Sequence, residues 1–233
     1  MILNNDTSPD RPPLSGCHSL LLVLLFSSIL LGGCFHSVYT TQEHRNFNLT
    51  IEDLREHGIA FITPSSITGQ EQDRQALALT FAQVLQEKHP DMRVVTLPET
   101  LGALNRAQML AEYKAMYEDY ADTGIFSRPA LKKISDLTGT RYLAQLKLSG
   151  FQQGSTQRFG AFGLRVLETK RANLRIFLQF WDGREGEIAW EGYEEVFMSS
   201  ETFTEKGLMF YDAARTIAER MMANIPQNHA GTK

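Results

Sequence analysis

The sequence predicts an α/β (α+β) domain: a mixed sheet of about five strands with helices packed on it, preceded by a cleaved signal peptide and a tether. Three observations carry this expectation. Between Ile59 and Gly139, short β-rich runs alternate with stretches whose apolar residues recur at helical spacing. Between Tyr142 and Phe197 the period shortens to two, as strands with one face inward require. From about Thr204 helical spacing returns and runs to the last proline, Pro226.

In chain order, Ile59-Ala-Phe-Ile-Thr63 followed by Pro64 reads as a first buried strand. Thr68-Gly-Gln-Glu71 matches a capping box, and behind it Leu77, Phe81, Val84 and Leu85 fall on one helical face. His89-Pro90 ends that helix, because the residue before a proline avoids the helical region. Met92–Leu97 reads as the second strand, closed by Pro98. Thr100 then opens a long helix carrying Leu104, Ala107, Ala111 and Tyr117 as far as Gly124. A third helix starts at Ser127, with Pro129 in its first turn, and presents Leu131, Ile134 and Leu137 before Gly139. In the second half, Tyr142, Ala144, Leu146 and Leu148 alternate with Leu143, Gln145, Lys147 and Ser149. Leu174, Ile176, Leu178 and Phe180 alternate likewise with Arg175, Phe177, Gln179 and Trp181. Asp182-Gly-Arg-Glu-Gly186 is a turn, and Ile188 to Phe197 returns antiparallel. The last helix presents Leu208, Tyr211, Ala214, Ile217, Ala218 and Met221.

The chain has 233 residues, 42% of them hydrophobic and 21% charged, which is enough for a core that needs no disulfides. A formal net charge of -4 offers no basic field for phosphates, so nucleic acid is not an expected partner. The two cysteines, Cys17 and Cys34, both precede the part that reads as folded. A disulfide between them is open to the chain only while both remain attached to it.

From Leu20 to Leu31 the chain reads LLLVLLFSSILL. That run is too short for the ~20 residues of a membrane-spanning helix and suits the apolar segment of a secretion signal. Leu31-Gly32-Gly33-Cys34 follows it, and resembles the lipobox of bacterial lipoproteins. The resemblance implies signal-peptidase recognition at Leu31, Gly32 and Gly33, cleavage before Cys34, and a covalent diacylglycerol plus an N-acyl group such as palmitate on Cys34. Several acyl chains on one residue give stable anchoring where a single chain does not. Phe35, rather than aspartate, follows the cysteine, which by the sorting rule of such lipoproteins implies the outer membrane, facing the periplasm. Ahead of the apolar run, Asp6 and Asp10 outweigh Arg11, a departure from the positive charge usual there. Residues 1–33 are therefore expected to be signal peptide, 34–57 a lipidated N-terminus and tether, 58–225 the globular domain and 226–233 a polar tail.

Little in the remainder points to catalysis. His36, His44, His57, His89 and His229 include no pair at helical ligand spacing and have no cysteine to join them, so no metal site is expected. No GxSxG elbow occurs. Glu185, Glu187, Glu191, Glu194 and Glu195 are numerous enough to suggest paired carboxylates, yet read better as the wet face of a hairpin. Gly154, Gly160 and Gly163 lack phosphate-loop spacing and suit a long hairpin connection, where Phe159 and Phe162 are the candidate partner contacts.

Leu178-Gln-Phe-Trp-Asp182-Gly-Arg-Glu-Gly186-Glu-Ile-Ala-Trp190 resembles a hairpin found in several envelope lipoproteins. Taken with Leu137-Thr-Gly139 before YLAQLKLSG and with the terminal helix, residues 58 to 225 are similar to the superfamily of the curli-secretion-channel lipoprotein, the penicillin-binding-protein activator lipoprotein B and the TolB amino-terminal domain. The resemblance implies a non-enzymatic envelope assembly, scaffold or activator protein. It also implies an envelope protein partner, with a homo-oligomer compatible. The alternatives are a subunit of an oligomeric secretion channel and a periplasmic hydrolase.

Overall fold

A computed structural model describes residues 36–66, 71–161, 164–202 and 210–227, with side chains except at 36–38, 66, 153, 155–170 and 200–202. Leu31, Gly32, Gly33, Cys34, Thr68 and Phe162 lie outside them. The sheet has seven strands: β1 (His36–Asn46), β2 (Ile59–Phe61), β3 (Ser65–Ser66), β4 (Val94–Val95), β5 (Tyr142–Ala161), β6 (Leu164–Asp182) and β7 (Ile188–Thr202). Their order is β1-β7-β6-β5-β2-β4, with β3 also beside β5. β2, β3 and β4 join in parallel, whereas β5, β6, β7 and β1 are antiparallel, so the sheet is mixed. The strands expected around Ile59, Tyr142, Leu174 and Ile188 are all present. That expected over Met92–Leu97 shrinks to two residues of β4.

Six helices are described: α1 (Ile51–His57), α2 (Glu71–Lys88), α3 (Leu97–Arg106), α4 (Leu110–Thr123), α5 (Arg128–Thr138) and α6 (Phe210–Ala223). On one face of the sheet, Leu146, Leu148, Leu174, Ile176, Leu178, Phe180, Trp190 and Val196 form a single buried cluster with side chains from α1, α2 and α6. Leu77, Phe81, Val84 and Leu85 of α2 are all within it, as their spacing predicts. A second cluster on the opposite face joins Ala60, Ile62, Leu143 and Trp181 to Leu104, Met116, Phe126, Leu131 and Ile134. Each fully buried side chain of this kind contributes about 1.5–3 kcal/mol. Among the described residues, the second layer covers the sheet around β2, the start of β5 and the end of β6, and beyond it that face is open.

Local chemistry sets the element ends. Thr50 Oγ1 accepts from the Asp53 N–H at 3.1 Å while the Thr50 N–H donates to Asp53 Oδ2 at 2.9 Å, so two end groups of α1 are satisfied reciprocally. Ser127 stands at the N-cap of α5 without a side-chain capping bond, Pro129 is in the first turn, and Gly139 ends the helix in the left-handed conformation with φ 65. The single helix expected from Thr100 to Gly124 is broken after Arg106. Gln108 takes φ 58, and the Met109 N–H reaches back to the Leu104 carbonyl at 3.0 Å, a close that usually falls to glycine.

The domain also begins earlier than the sequence suggests. The stretch expected to be tether holds β1, which pairs with β7 along all 11 of its residues, and α1, the short helix that Thr50 to Gly58 reads as in the sequence, whose Ile51 and Leu54 are fully buried. β1 reads as polar because neither of its sides meets the core: every residue from Thr41 to Asn46 is exposed. At the other end, the Ile51 N–H donates to the Pro226 carbonyl at 2.8 Å, so the first tail residue is tied into the domain. Leu137, expected on the inner face of α5, is 40% exposed. No described helix is long and apolar enough to cross a membrane.

Candidate functional site

The open face of β5, β6, β7 and β1 is built from alternate residues of four strands. Its register lines up four rows across the sheet: Tyr39, Phe197 and Asn173; Thr41, Glu195 and Arg175; Glu43, Tyr193, Phe177 and Lys147; Arg45, Glu191, Gln179 and Gln145. Aromatic rows thus flank a charged row, with an amide-rich row beyond. Tyr39, Phe197 and Phe177 are 72%, 46% and 41% exposed, and Phe177 packs on Tyr193 with ring centroids 4.6 Å apart. Hollows of about 420 Å³ beside Tyr39, Asn173 and Phe197, and about 250 Å³ between Arg45, Phe177, Glu191 and Tyr193, open on this face.

Most charges here are already partnered. Glu195 accepts from Arg175 Nη2 at 2.9 Å, from Asn173 Nδ2 at 3.1 Å and from the Tyr193 hydroxyl at 2.9 Å. The Arg175 hydrogen bond, foremost among these, holds the Glu195 carboxyl below its ordinary range. Glu191 accepts from Gln179 Nε2 at 3.3 Å and stands 3.8 Å from Arg45.

Where the open face meets the second helix layer, α4 presents three tyrosines at helical spacing. The Tyr113 hydroxyl accepts from the Thr63 N–H at 2.9 Å and donates to Thr63 Oγ1 at 3.0 Å; the Tyr117 hydroxyl donates to the Thr63 carbonyl at 2.5 Å. Burial pushes both phenols up, Tyr117 furthest. These bonds pin Thr63-Pro64, where the chain leaves β2 and resumes at β3. Tyr120, 3.4 Å from Gln179 Oε1, closes the border of the open face.

The carboxylates expected on the wet side of the hairpin divide. Glu194 is fully buried on the helix-covered face, where Arg220 of α6 donates to it, and burial raises its carboxyl. Glu195 is only 8% exposed, because Arg175, Tyr193 and Asn173 close over it. Alternation explains the split, since a strand turns neighbouring side chains to opposite faces. Asp182 of the hairpin motif also has a structural task. It accepts from Arg141 Nε at 2.9 Å and Nη2 at 2.6 Å, and from the Arg184 N–H at 2.9 Å. Burial raises its carboxyl, but the Arg141 and turn hydrogen bonds outweigh that and leave it below its ordinary range.

Phe159 lies on β5 opposite Leu167, at the far end of the β5–β6 hairpin; its side chain, like all of Phe162, is outside what the structure describes. Cys34 and the residues before it are likewise outside. Of the residues singled out in the sequence, only the hairpin carboxylates Glu191 and Glu195 are described on the open face. Tyr39, Phe177 and Phe197 were not singled out, although a signal existed: an aromatic residue on the polar side of a two-residue alternation. Among the described residues, no three His, Cys, Asp or Glu side chains converge as metal ligands.

No protein-family model matches the chain, and no curated protein does. Among solved structures it is similar to the PelC dodecamer from Paraburkholderia phytofirmans, at 9% identity and TM-score 0.42, over 84% of this chain and 100% of that one. It is similar to the lipoprotein GNA1162 from Neisseria meningitidis, at 12% identity and TM-score 0.37, over 71% and 97%. It is also similar to the LpoB C-terminal domain from Salmonella enterica, at 11% identity and TM-score 0.36, over 63% and 94%. LpoB is one of the lipoproteins that the sequence resemblance names. Likeness at this level assigns no role.

Proposed function

We propose that this chain is a lipid-anchored protein of the bacterial cell envelope that acts without catalysis, by holding an envelope protein partner on its open sheet face. One observation carries the reading: three exposed aromatic rings stand among side chains whose charges are largely satisfied by one another. Such a surface gains from covering its apolar rings and gives up little charge hydration in doing so. Cys34 carries the diacylglycerol and N-acyl group and holds the domain at the outer membrane, facing the periplasm. Phe159 and Phe162, at the end of the hairpin, form a second contact.

The test is site-specific photocrosslinking in cells from Tyr39, Phe177 and Phe197, with Phe159 and Phe162 as further positions and mass spectrometry of the residue at Cys34. A single envelope protein trapped from the open face supports the reading. Phospholipid alone from every position, or an unmodified Cys34 thiol, overturns it.

A further inference from the structure

The described part of the sheet has free backbone edges at β1, β3, β4 and the far part of β5, and they are treated differently. β3 and β4 are two residues long each. β5 beyond Leu148 is interrupted by register irregularities at Leu148/Gly150, Gln157/Phe159 and Phe159/Gly160. Shortness and bulges are the usual ways to stop an edge from accepting another strand. β1 has neither. It runs 11 residues against β7 without a register shift, contains no proline and no lysine, and is exposed at every residue from Thr41 to Asn46.

Its sequence is also self-complementary. Laid antiparallel on a second copy of itself and flush at both ends, β1 places His36 opposite Asn46, Ser37 opposite Arg45, Val38 opposite His44, Tyr39 opposite Glu43 and Thr40 opposite Gln42. Only Thr41 meets itself. Every charged residue then faces an uncharged one, and the self-pair on the axis is Thr–Thr, a favourable cross-strand pair. Parallel pairing in register would instead set Glu43 on Glu43 and Arg45 on Arg45. The charges on this edge therefore select an arrangement rather than block one.

We propose that two copies of this chain pair through β1 about a two-fold axis at Thr41, joining their sheets into one. The outward amides and carbonyls of β1 find partners, and Tyr39 gains a neighbour across the new seam. This pairing stands apart from the lipid anchor and from the envelope partner of the open face.

The test uses the full chain in detergent, with Cys17→Ser and Cys34→Ser so that an added cysteine is the sole thiol. Thr41→Cys is expected to give a disulfide dimer on mild oxidation, because residues directly opposite in antiparallel strands have Cα atoms about 4.5–5.5 Å apart, within disulfide reach. Arg45→Cys alone is expected to form no disulfide, since the two copies of position 45 lie about 27 Å apart along the seam. Mixing it with Ser37→Cys restores the cross-link. Light scattering of the thiol-free parent gives twice the chain mass, and Thr41→Lys, which sets like charges face to face, weakens the dimer about five- to tenfold with an unchanged circular dichroism spectrum. A monomeric parent at 100 µM overturns the proposal. So do cross-linking at Arg45→Cys as efficient as at Thr41→Cys, and a larger assembly in which Thr41→Cys does not cross-link.

Discussion

At the scale of single residues, the most consequential polar group is Asp182. Its side chain is nearly buried and ties the start of β5 to the turn after β6 through Arg141 and the turn amides. Asp182→Asn is expected to lower unfolding free energy by about 1.5–3 kcal/mol, the range for hydrogen bonds to a charged group, as read by urea denaturation. The pH dependence has a definite sign. Because the folded carboxyl lies below its ordinary value, its stabilising effect is complete above the unfolded carboxylate range, about 3.9, and is lost as pH falls through the folded value. The substitution should flatten that acid limb of the stability curve. Gln108 makes the opposite case: a non-glycine residue held at φ 58 is strained, so Gln108→Gly is expected to stabilise the fold by about 0.5–1 kcal/mol and to raise the melting temperature.

At the scale of elements, Gly192 of β7 decides how closely Trp190 can lie along its own strand. A Cβ at Gly192 would overlap the Trp190 ring, which is buried beside Phe180 with ring centroids 5.4 Å apart. Gly192→Ala should destabilise by about 1–3 kcal/mol, with the near-ultraviolet dichroism of the tryptophan altered. What was legible in the sequence followed the same logic of local chemistry. The stripe of α2 and the serine, proline and glycine that frame α5 signal themselves without help from the rest of the chain. β1 did not, because an edge strand wet on both faces has the composition of a linker, and its partner lies 144 residues away in the pairing of Asn46 with Trp190. The break after Arg106 was hidden for another reason: glutamine gives no sign that it will adopt a left-handed conformation. At the open face, the alternation in β6 and β7 was visible, but only the sheet order reveals that Tyr39, Phe177 and Phe197 share one surface.

At the scale of the whole molecule, the proposed function would divide labour between the two faces of the sheet, one for stability and one for contact. The helix-covered face carries the continuous core, and the open face carries exposed rings that the core does not need. Replacing Tyr39, Phe177 and Phe197 together by serine is therefore expected to change unfolding free energy little, by about 0.5 kcal/mol for each surface site, while abolishing capture of the envelope partner. Comparable loss of stability and capture would show that the rings serve the fold instead.

The place where β1 begins sets the reach of the protein. His36 is already paired to β7, so a lipid on Cys34 would have only one residue, Phe35, and at most about 7 Å of backbone between it and the sheet. A body anchored in that way would ride against the bilayer instead of swinging out across the space beyond, and whatever meets it would have to lie in the same membrane or extend to its surface.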